Sequence, residues 1–136
     1  MSIALISDHD QSHLINLAQN AAAKAFAPYS KFYVGAAVLT HQGNIFIGCN
    51  VENASYGLTI CAERAAICAA VAAEGGDIMK IRAIAVVNQH NTFCSPCGAC
   101  RQFIWQFGKD AMVIFPSNNG LKKLSVNQLL PEGFDF

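Results

Sequence analysis

The spacing of apolar residues predicts a helix and a β-hairpin in the first part of the chain. Apolar residues recur every three to four positions over residues 10–27, which predicts a helix that Pro28 ends. Two apolar, β-prone runs at residues 33–40 and 44–51 flank a short turn at Gly43. Runs of this kind joined by a glycine-containing turn are typical of a hairpin.

Residue types suited to helix ends predict two further helices. Thr59 is the predicted cap of a helix that begins near Cys61, crosses an alanine-rich stretch and stops at a double glycine. Ser95 and Pro96 have the residue types of an N-cap and a first helical position. A third helix is therefore predicted from this pair to Gly108.

Short apolar strands alternate with these helices. Residues 83–88 and 111–115 form two such runs, of which Pro116 stops the second. In residues 121–136, a short strand and a helical turn are predicted before Pro131. Uninterrupted apolar runs are typical of strands whose sheet is covered by helices on both faces. The pattern therefore predicts a three-layer α/β domain.

Composition narrows the class of protein. Of the 136 residues, 53% are apolar and 13% are charged, and nine Lys and Arg balance nine Asp and Glu. This length fits one domain, residues 1–136. The composition excludes intrinsic disorder, and the lack of a basic run argues against a polynucleotide held through its phosphates. A domain with so few charges is expected to bury part of its surface against copies of itself.

No membrane-spanning or secretory segment is predicted. The uncharged stretch 32–51 is long enough to span a bilayer, but the polar residues 40–44 interrupt it. Residues 1–10 contain two Asp and no basic cluster, unlike a secretory signal. The six cysteines are therefore expected to be reduced thiols in a cytoplasmic protein. Cys49 and Cys68 lie in apolar runs and are predicted to be buried.

The other four cysteines include the candidate metal ligands. Cys61 and Glu63 lie at the predicted start of the second helix, and Cys97 and Cys100 lie three residues apart at the start of the third. Helix N-termini stabilise thiolates, which are the form that binds metals. Three thiolates with an open fourth position are typical of a catalytic zinc site. The Glu63 carboxyl could exchange protons with a water molecule in that position.

Cys94 leaves two alternative metal sites open. Cys94, Cys97 and Cys100 have the spacing of an iron–sulfur run, but Ile104 stands where the fourth cysteine is expected. With Cys61, the same three residues could form a closed zinc site that has no position for water. Cys94 lies outside the predicted helix, which favours the three-cysteine site.

Five motifs follow one another along nearly the whole chain. They are FYVGAA at residues 32–37, GCNVENASYG at 48–57, CAER at 61–64, SPCGACRQ at 95–102 and LLP at 129–131. Together they resemble the small, three-cysteine, homotetrameric cytidine deaminases, and they include the P-C-x-x-C signature of zinc deaminases. The resemblance implies a three-layer α-β-α sandwich with a central mixed sheet, one zinc ion per chain and a tetramer.

The resemblance also implies roles at the metal. Cys61, Cys97 and Cys100 would hold the zinc ion. Glu63 would take a proton from the zinc-bound water, protonate N3 of cytosine and later assist the departure of ammonia. Three thiolates on a divalent ion leave a net negative charge. The Arg64 guanidinium is therefore predicted to donate hydrogen bonds to ligand sulfurs and to offset that charge.

Substrate contacts are implied in the same way. Phe32 would pack on the pyrimidine, and Asn50 and Glu52 would hydrogen-bond the ribose 3′-hydroxyl. Residues 54–56 would reach sugar atoms across a subunit boundary, and Phe134 would cover the site of a neighbouring subunit. The resemblance also implies contacts at Val51 and Asn53. Besides Phe32, Asn50 and Glu52, the implied substrate contacts are therefore Val51, Asn53, Ala54, Ser55, Tyr56 and Phe134.

The implied activity is the hydrolysis of cytidine and 2′-deoxycytidine to uridine and 2′-deoxyuridine in pyrimidine salvage. Residues 50–56 contain no Lys or Arg that would hold a phosphate, which favours a nucleoside over a nucleotide. The alternative substrate is a modified cytosine nucleoside such as blasticidin S. The match of the whole 50–56 loop to the cytidine enzymes favours the plain nucleoside.

Overall fold

The strands of the chain form one mixed sheet. In the computed structural model, which describes residues 6–135, five strands lie in the order β2-β1-β3-β4-β5. β3 and β4 are parallel, and the other neighbouring pairs are antiparallel. Residues 1–5 and 136 of the predicted single domain lie outside the described residues. The strands are β1 Val34–Thr40, β2 Ile45–Cys49, β3 Ile81–Asn88, β4 Met112–Ser117 and β5 Gly120–Ser125.

Helices cover both faces of this sheet. Within residues 6–135 they are α1 Asp8–Ala22, α2 Ala62–Glu74, α3 Gly98–Phe107 and α4 Val126–Leu129, with a 3-10 turn at Tyr56–Leu58. Side chains alternate along β1, so that Ala37 packs in one core with α1 and Val38 packs in another with α2, α3 and α4. The predicted three-layer α-β-α sandwich with a central mixed sheet is confirmed. None of the helices in this part of the chain is long and apolar enough to cross a membrane.

The first helix is shorter than its apolar pattern predicts. It ends at Ala22 rather than at Pro28. Phe26 instead forms an isolated bridge with Val51, beyond the end of β2. Phe26 and Ala27 continue the helical spacing of apolar residues although they lie in non-helical backbone. Periodicity alone therefore places the helix end too late.

Cysteines, rather than hydroxyl residues, precede α2 and α3. Cys61 and Cys97 occupy the N-cap positions with extended backbone, so the predicted capping roles of Thr59 and Ser95 are wrong. Neither cysteine makes a side-chain capping hydrogen bond. The Thr59 hydroxyl instead accepts a hydrogen bond from the Asn53 N–H at 3.3 Å. A sequence rule based on capping side chains misses these helix starts because the cysteine sulfurs do not cap the helices.

Two further predictions are wrong. Cys68 is exposed on α2, and Cys49 is only half-buried. Pro116 does not stop the fourth strand, because β4 continues to Ser117. Parallel pairing with β3 extends only over residues 112–114 of β4, so proline at position 116 disturbs no bond of that ladder. The Pro116 carbonyl accepts a hydrogen bond from the Cys94 N–H at 3.2 Å and holds the chain before α3.

Gly48 allows α2 to lie directly against β2. A Cβ atom at Gly48 would collide with the backbone nitrogen of Ala66 and would lie 2.6 Å from the Ala62 carbonyl oxygen. We expect Gly48→Ala to lower the free energy of unfolding by about 3 kcal/mol, as measured by urea unfolding. Gly76→Ala is the matched control, since a Cβ there would meet only a Val71 methyl group at 3.9 Å. Equal stability of the two variants would contradict this close packing.

Candidate metal centre and active site

Three cysteine sulfurs converge at the N-termini of α2 and α3. The Sγ atoms of Cys61, Cys97 and Cys100 all lie within 4.8 Å of one another. Cys61 and Cys97 are the N-cap residues of the two helices, and Cys100 is buried in the first turn of α3. The partial positive charge of each helix N-terminus therefore acts on a sulfur that it can stabilise as a thiolate.

The cluster favours one thiolate without a metal. The pKa of Cys61 falls to about 5, mainly because the Cys100 thiol donates a hydrogen bond to its sulfur. The Arg64 guanidinium contributes a further hydrogen bond and positive charge. The hydrogen bond to Cys61 in turn raises the pKa of Cys100. A thiolate at Cys100 would therefore form most readily beside a cation.

A zinc ion fits this donor set. Zn–S bonds of about 2.3 Å in a tetrahedral site place two sulfurs about 3.8 Å apart, which is compatible with the spacing of Cys61, Cys97 and Cys100. Thiolates are the soft ligands that zinc accepts. Three protein ligands leave one position for a water molecule or a substrate, as in catalytic rather than structural zinc sites.

Glu63 places a carboxyl group beside the thiols. Its position in the first turn of α2 leaves it only 4% exposed, and it lines the same cavity as Cys61 and Cys97. Burial raises the pKa of Glu63 to about 7, since a charged carboxylate loses hydration there. A carboxyl group with this pKa can both accept and donate a proton near neutral pH.

The cavity brings predicted base and sugar contacts to the thiols. It has a volume of about 270 Å³, close to the lower bound of small-molecule pockets, and Phe32, Asn50 and Glu52 line it. Several other lining residues are not among the predicted site residues. Three of them lie within the recognised motifs and the other three lie within two residues of one, and this position in the chain is the one signal that could have found them. They are Ser30, Val34, Thr59, Ile60, Ala62 and Ser95.

Hydrogen bonds within the chain hold the two predicted sugar-binding side chains. The Glu52 carboxylate accepts hydrogen bonds from the Tyr29 N–H at 3.0 Å, the Ser30 N–H at 3.1 Å and the Ser30 hydroxyl. The Ser30 hydroxyl is the main cause of the lowered pKa of Glu52. The Asn50 side chain accepts from the Val34 N–H at 2.8 Å and donates to the Phe32 carbonyl at 2.9 Å. Both side chains are therefore oriented before any ligand binds.

The rest of the predicted substrate loop lies outside this cavity. Asn53 accepts a hydrogen bond from the Ser55 N–H at 2.9 Å and so shapes the turn before the 3-10 helix. Tyr56 is 78% exposed, and its ring meets that of Tyr29 edge-on at 6.3 Å between centroids. The predicted contacts that do not line the cavity are Val51, Asn53, Ala54, Ser55 and Tyr56.

Phe134 also lies outside the cavity of its own chain. Its ring is 62% exposed. The Gln102 side chain donates a hydrogen bond to the Phe134 carbonyl at 2.8 Å and accepts one from the Phe134 N–H at 3.2 Å. α3 therefore fixes the backbone of an aromatic residue that is largely exposed.

Cys94 lines the cavity but stands apart from the sulfur cluster. The metal-ligand group found among residues 6–135 contains Cys61, Cys97 and Cys100 and does not include Cys94. Burial raises the pKa of Cys94, which favours the neutral thiol. This arrangement supports the three-cysteine site over the closed four-cysteine alternative.

The fold and the site place the chain among zinc-dependent enzymes that act on small molecules. A family model described as "Cytidine and deoxycytidylate deaminase zinc-binding region" matches residues 8–116. This match covers well over half of the chain. The chain belongs to this family, as its motifs predict.

Individual relatives are similar over nearly the whole chain. The cytidine deaminase of Mycobacterium tuberculosis is 42% identical over 127 residues, which cover 93% of this chain and 91% of that protein. The crystal structure of cytidine deaminase from Burkholderia pseudomallei has 42% identity and a TM-score of 0.80, with 95% of this chain and 100% of that chain covered. A blasticidin-S deaminase of Bacillus cereus is 33% identical over 107 residues, which cover 75% of this chain and 76% of that protein. The similarity to the blasticidin-S enzyme is therefore weaker and shorter.

The Arg64 side chain is hydrogen-bonded to one of the predicted metal ligands. Its Nη2 atom donates a hydrogen bond to the Cys61 sulfur at 3.4 Å, and this contact raises the pKa of the guanidinium. We expect Arg64→Gln to lower zinc affinity or turnover by about 10- to 100-fold, measured by zinc titration and initial rates. Arg64→Lys keeps the charge without the planar fork and should lose less. Unchanged zinc affinity and turnover in Arg64→Gln would show that Arg64 is only a surface residue.

Proposed function

We propose that this chain hydrolyses cytidine and 2′-deoxycytidine to uridine and 2′-deoxyuridine with release of ammonia, a reaction of pyrimidine salvage. One observation carries the proposal: Glu63, a buried carboxyl group with a pKa near neutrality, lies beside three converging cysteine sulfurs in a small cavity. Relatives that are about 40% identical over nearly the whole chain are named for this activity.

The residues of the site would each have a separate role in the reaction. Zinc held by Cys61, Cys97 and Cys100 would supply a Lewis acid that makes water nucleophilic at neutral pH. The Glu63 carboxylate would accept a proton from the attacking water and donate it to N3 of cytosine, because C4 is a poor electrophile until N3 is protonated. The same carboxyl group would then take the proton of the hydroxyl added at C4 and give it to the amino group, so that the C4–N bond breaks to release ammonia and C4 becomes the carbonyl of uracil. A pKa of about 7 at Glu63 suits transfer in both directions.

The remaining cavity residues would bind a neutral nucleoside. Phe32 would pack on the pyrimidine ring, and Asn50 and Glu52 would hydrogen-bond the ribose 3′-hydroxyl. Neither lysine nor arginine is among the described residues that line the cavity, so nothing there would neutralise a phosphate. The lining therefore favours cytidine over its monophosphate.

A substrate panel tests this proposal. The absorbance change on deamination is measured with purified protein and cytidine, 2′-deoxycytidine, cytosine, CMP and blasticidin S. We expect rapid conversion of the first two compounds only. Conversion of CMP but not cytidine would overturn the substrate assignment, and conversion of blasticidin S alone would identify the modified nucleoside as the substrate.

We further propose that the protein is a cytoplasmic homotetramer with shared active sites. The exposed rings of Tyr29 and Tyr56 contact each other beside the exposed Leu58, next to the bridge that joins Phe26 to Val51. Exposed large apolar side chains that group together in this way are typical of surfaces that bind another protein chain. A neighbouring chain that covers it would receive residues 54–56 at its own cavity. None of the six cysteines, all of which lie within residues 6–135, forms a disulfide, which supports a reducing compartment.

Shared sites predict that assembly and activity are lost together. Light scattering should give four times the monomer mass of 14.6 kDa at working concentration. Dilution, with mild denaturant if the interfaces are large, should lower the mass and the turnover in parallel. A fully active monomer would contradict the shared sites and leave the zinc chemistry intact.

A further inference from the structure

We propose that Ser30 is a positioning residue that fixes the Glu52 carboxylate for the sugar and couples it to Phe32. The inference rests on the proposed function, since it concerns recognition of the nucleoside at the same cavity. Ser30 lies between α1 and β1 and lines the cavity together with Phe32 and Glu52. It stands outside all five motifs that carry the family resemblance.

Ser30 contacts both neighbours through its backbone and its hydroxyl group. Its hydroxyl donates a hydrogen bond to Glu52 Oε2, and its N–H donates to Glu52 Oε1 at 3.1 Å. The Tyr29 N–H donates to the same Oε1 at 3.0 Å. The Ser30 hydroxyl oxygen also accepts the Phe32 N–H at 3.0 Å. One hydroxyl group therefore joins the predicted sugar contact to the predicted base contact.

These contacts leave Glu52 with one directed acceptor site. A carboxylate has about four lone-pair sites. Two on Oε1 are taken by the N–H groups of Tyr29 and Ser30, and one on Oε2 is taken by the Ser30 hydroxyl. The remaining site, on Oε2, can accept a sugar hydroxyl. Without the Ser30 hydroxyl, Oε2 would keep no hydrogen-bond partner among the described residues, and the carboxylate could rotate about Oε1.

The same contact holds the backbone of Phe32 in place. The Phe32 N–H is bonded to Ser30, and its carbonyl accepts a hydrogen bond from the Asn50 side chain at 2.9 Å. Lys31, between Ser30 and Phe32, has a φ of +59°, which residues other than glycine rarely adopt. Such a conformation persists only where surrounding contacts enforce it, and functional sites are where it concentrates. Ser30 and Asn50 therefore hold the backbone of the residue that would pack on the base, one at its N–H and the other at its carbonyl.

A directed carboxylate should discriminate between substrates that differ at the 3′-hydroxyl. We expect Ser30→Ala to lower kcat/KM for cytidine about tenfold more than for 3′-deoxycytidine, because a hydrogen bond to a charged group is lost only where the sugar uses that group. Any loss that is transmitted through Phe32 falls on both substrates and cancels in the ratio. A merely structural role of Ser30 would lower both values equally.

The experiment compares the cytidine to 3′-deoxycytidine ratio of kcat/KM in four proteins. They are the wild type, Ser30→Ala, Ser30→Thr and Ser12→Ala. Ser30→Thr retains the hydroxyl and should keep most of the wild-type ratio. Ser12→Ala makes the same chemical change at an exposed position of α1, far along the chain from the cavity, and should leave the ratio unchanged. In a Glu52→Ala background, Ser30→Ala should change the ratio no further.

The outcomes separate this inference from the proposed function. A wild type that does not deaminate cytidine overturns the proposed function. An active wild type whose ratio survives Ser30→Ala overturns the role of Ser30. If Ser30→Ala fails to fold, Ser30→Cys replaces it, since a thiol has nearly the same shape but is a weak donor. The ratio must then fall in Ser30→Cys, and an unchanged ratio overturns the inference.

Discussion

Glu63→Gln should retain zinc and fold but lose nearly all deamination of cytidine. The amide has the shape of the carboxyl group, so it should fit the position that is 4% exposed in the first turn of α2. It cannot take a proton from water or deliver one to N3. Loss of general acid–base catalysis alone typically costs 10²–10⁴-fold, and the loss of water activation by the same group should add to it.

The measurement is the initial rate of uridine formation at matched zinc content and thermal stability. Glu74→Gln is the matched control, because Glu74 lies at the other end of α2 and accepts hydrogen bonds from Thr40 and Asn44 instead of lining the cavity. It should keep wild-type turnover even if its stability falls. More than about a tenth of the wild-type rate in Glu63→Gln would contradict the assigned proton transfers.

Cys100→Ala should lose the bound zinc and, with it, the activity. Cys100 is buried within the sulfur cluster, so its removal leaves two thiols and no replacement ligand in the group found among residues 6–135. Cys97→Ala should behave in the same way. The expected result is a fall from one zinc per chain to nearly none, measured by elemental analysis.

Two cysteine variants serve as controls for this loss. Cys94→Ala removes a thiol that lines the cavity outside the cluster, and Cys68→Ala removes an exposed thiol on α2. Both should keep one zinc per chain and wild-type turnover. Zinc loss in Cys94→Ala would show that Cys94 is a fourth zinc ligand. It would thereby support the closed four-cysteine site and contradict a site with an open position for water.

The features that the sequence predicts best are those that short segments determine. The alternation of apolar strands with helical spacing predicts the sandwich, and the spacing of Cys97 and Cys100 places both at the start of one helix. The pairing of Cys61 with Glu63 is likewise local. The family motifs then predict that these two segments form one site, although they are more than thirty residues apart in the chain.

The features that the sequence misses depend on contacts between distant residues. The hydrogen bonds from Ser30 to Glu52 join residues 22 positions apart, and no periodicity or motif predicts them. Phe26 continues the helical spacing but pairs with Val51, because backbone pairing with a distant strand end replaces the helix there. Local propensity carries no information on such partners.

Zinc titration of the activity tests the central claim most directly. Protein prepared without metal is mixed with increasing zinc, and uridine formation from cytidine is measured at each ratio. A single site made by Cys61, Cys97 and Cys100 predicts no activity without zinc and a linear rise that saturates at one zinc per chain. Full activity without metal, or saturation that requires a different number of zinc ions, would contradict the account.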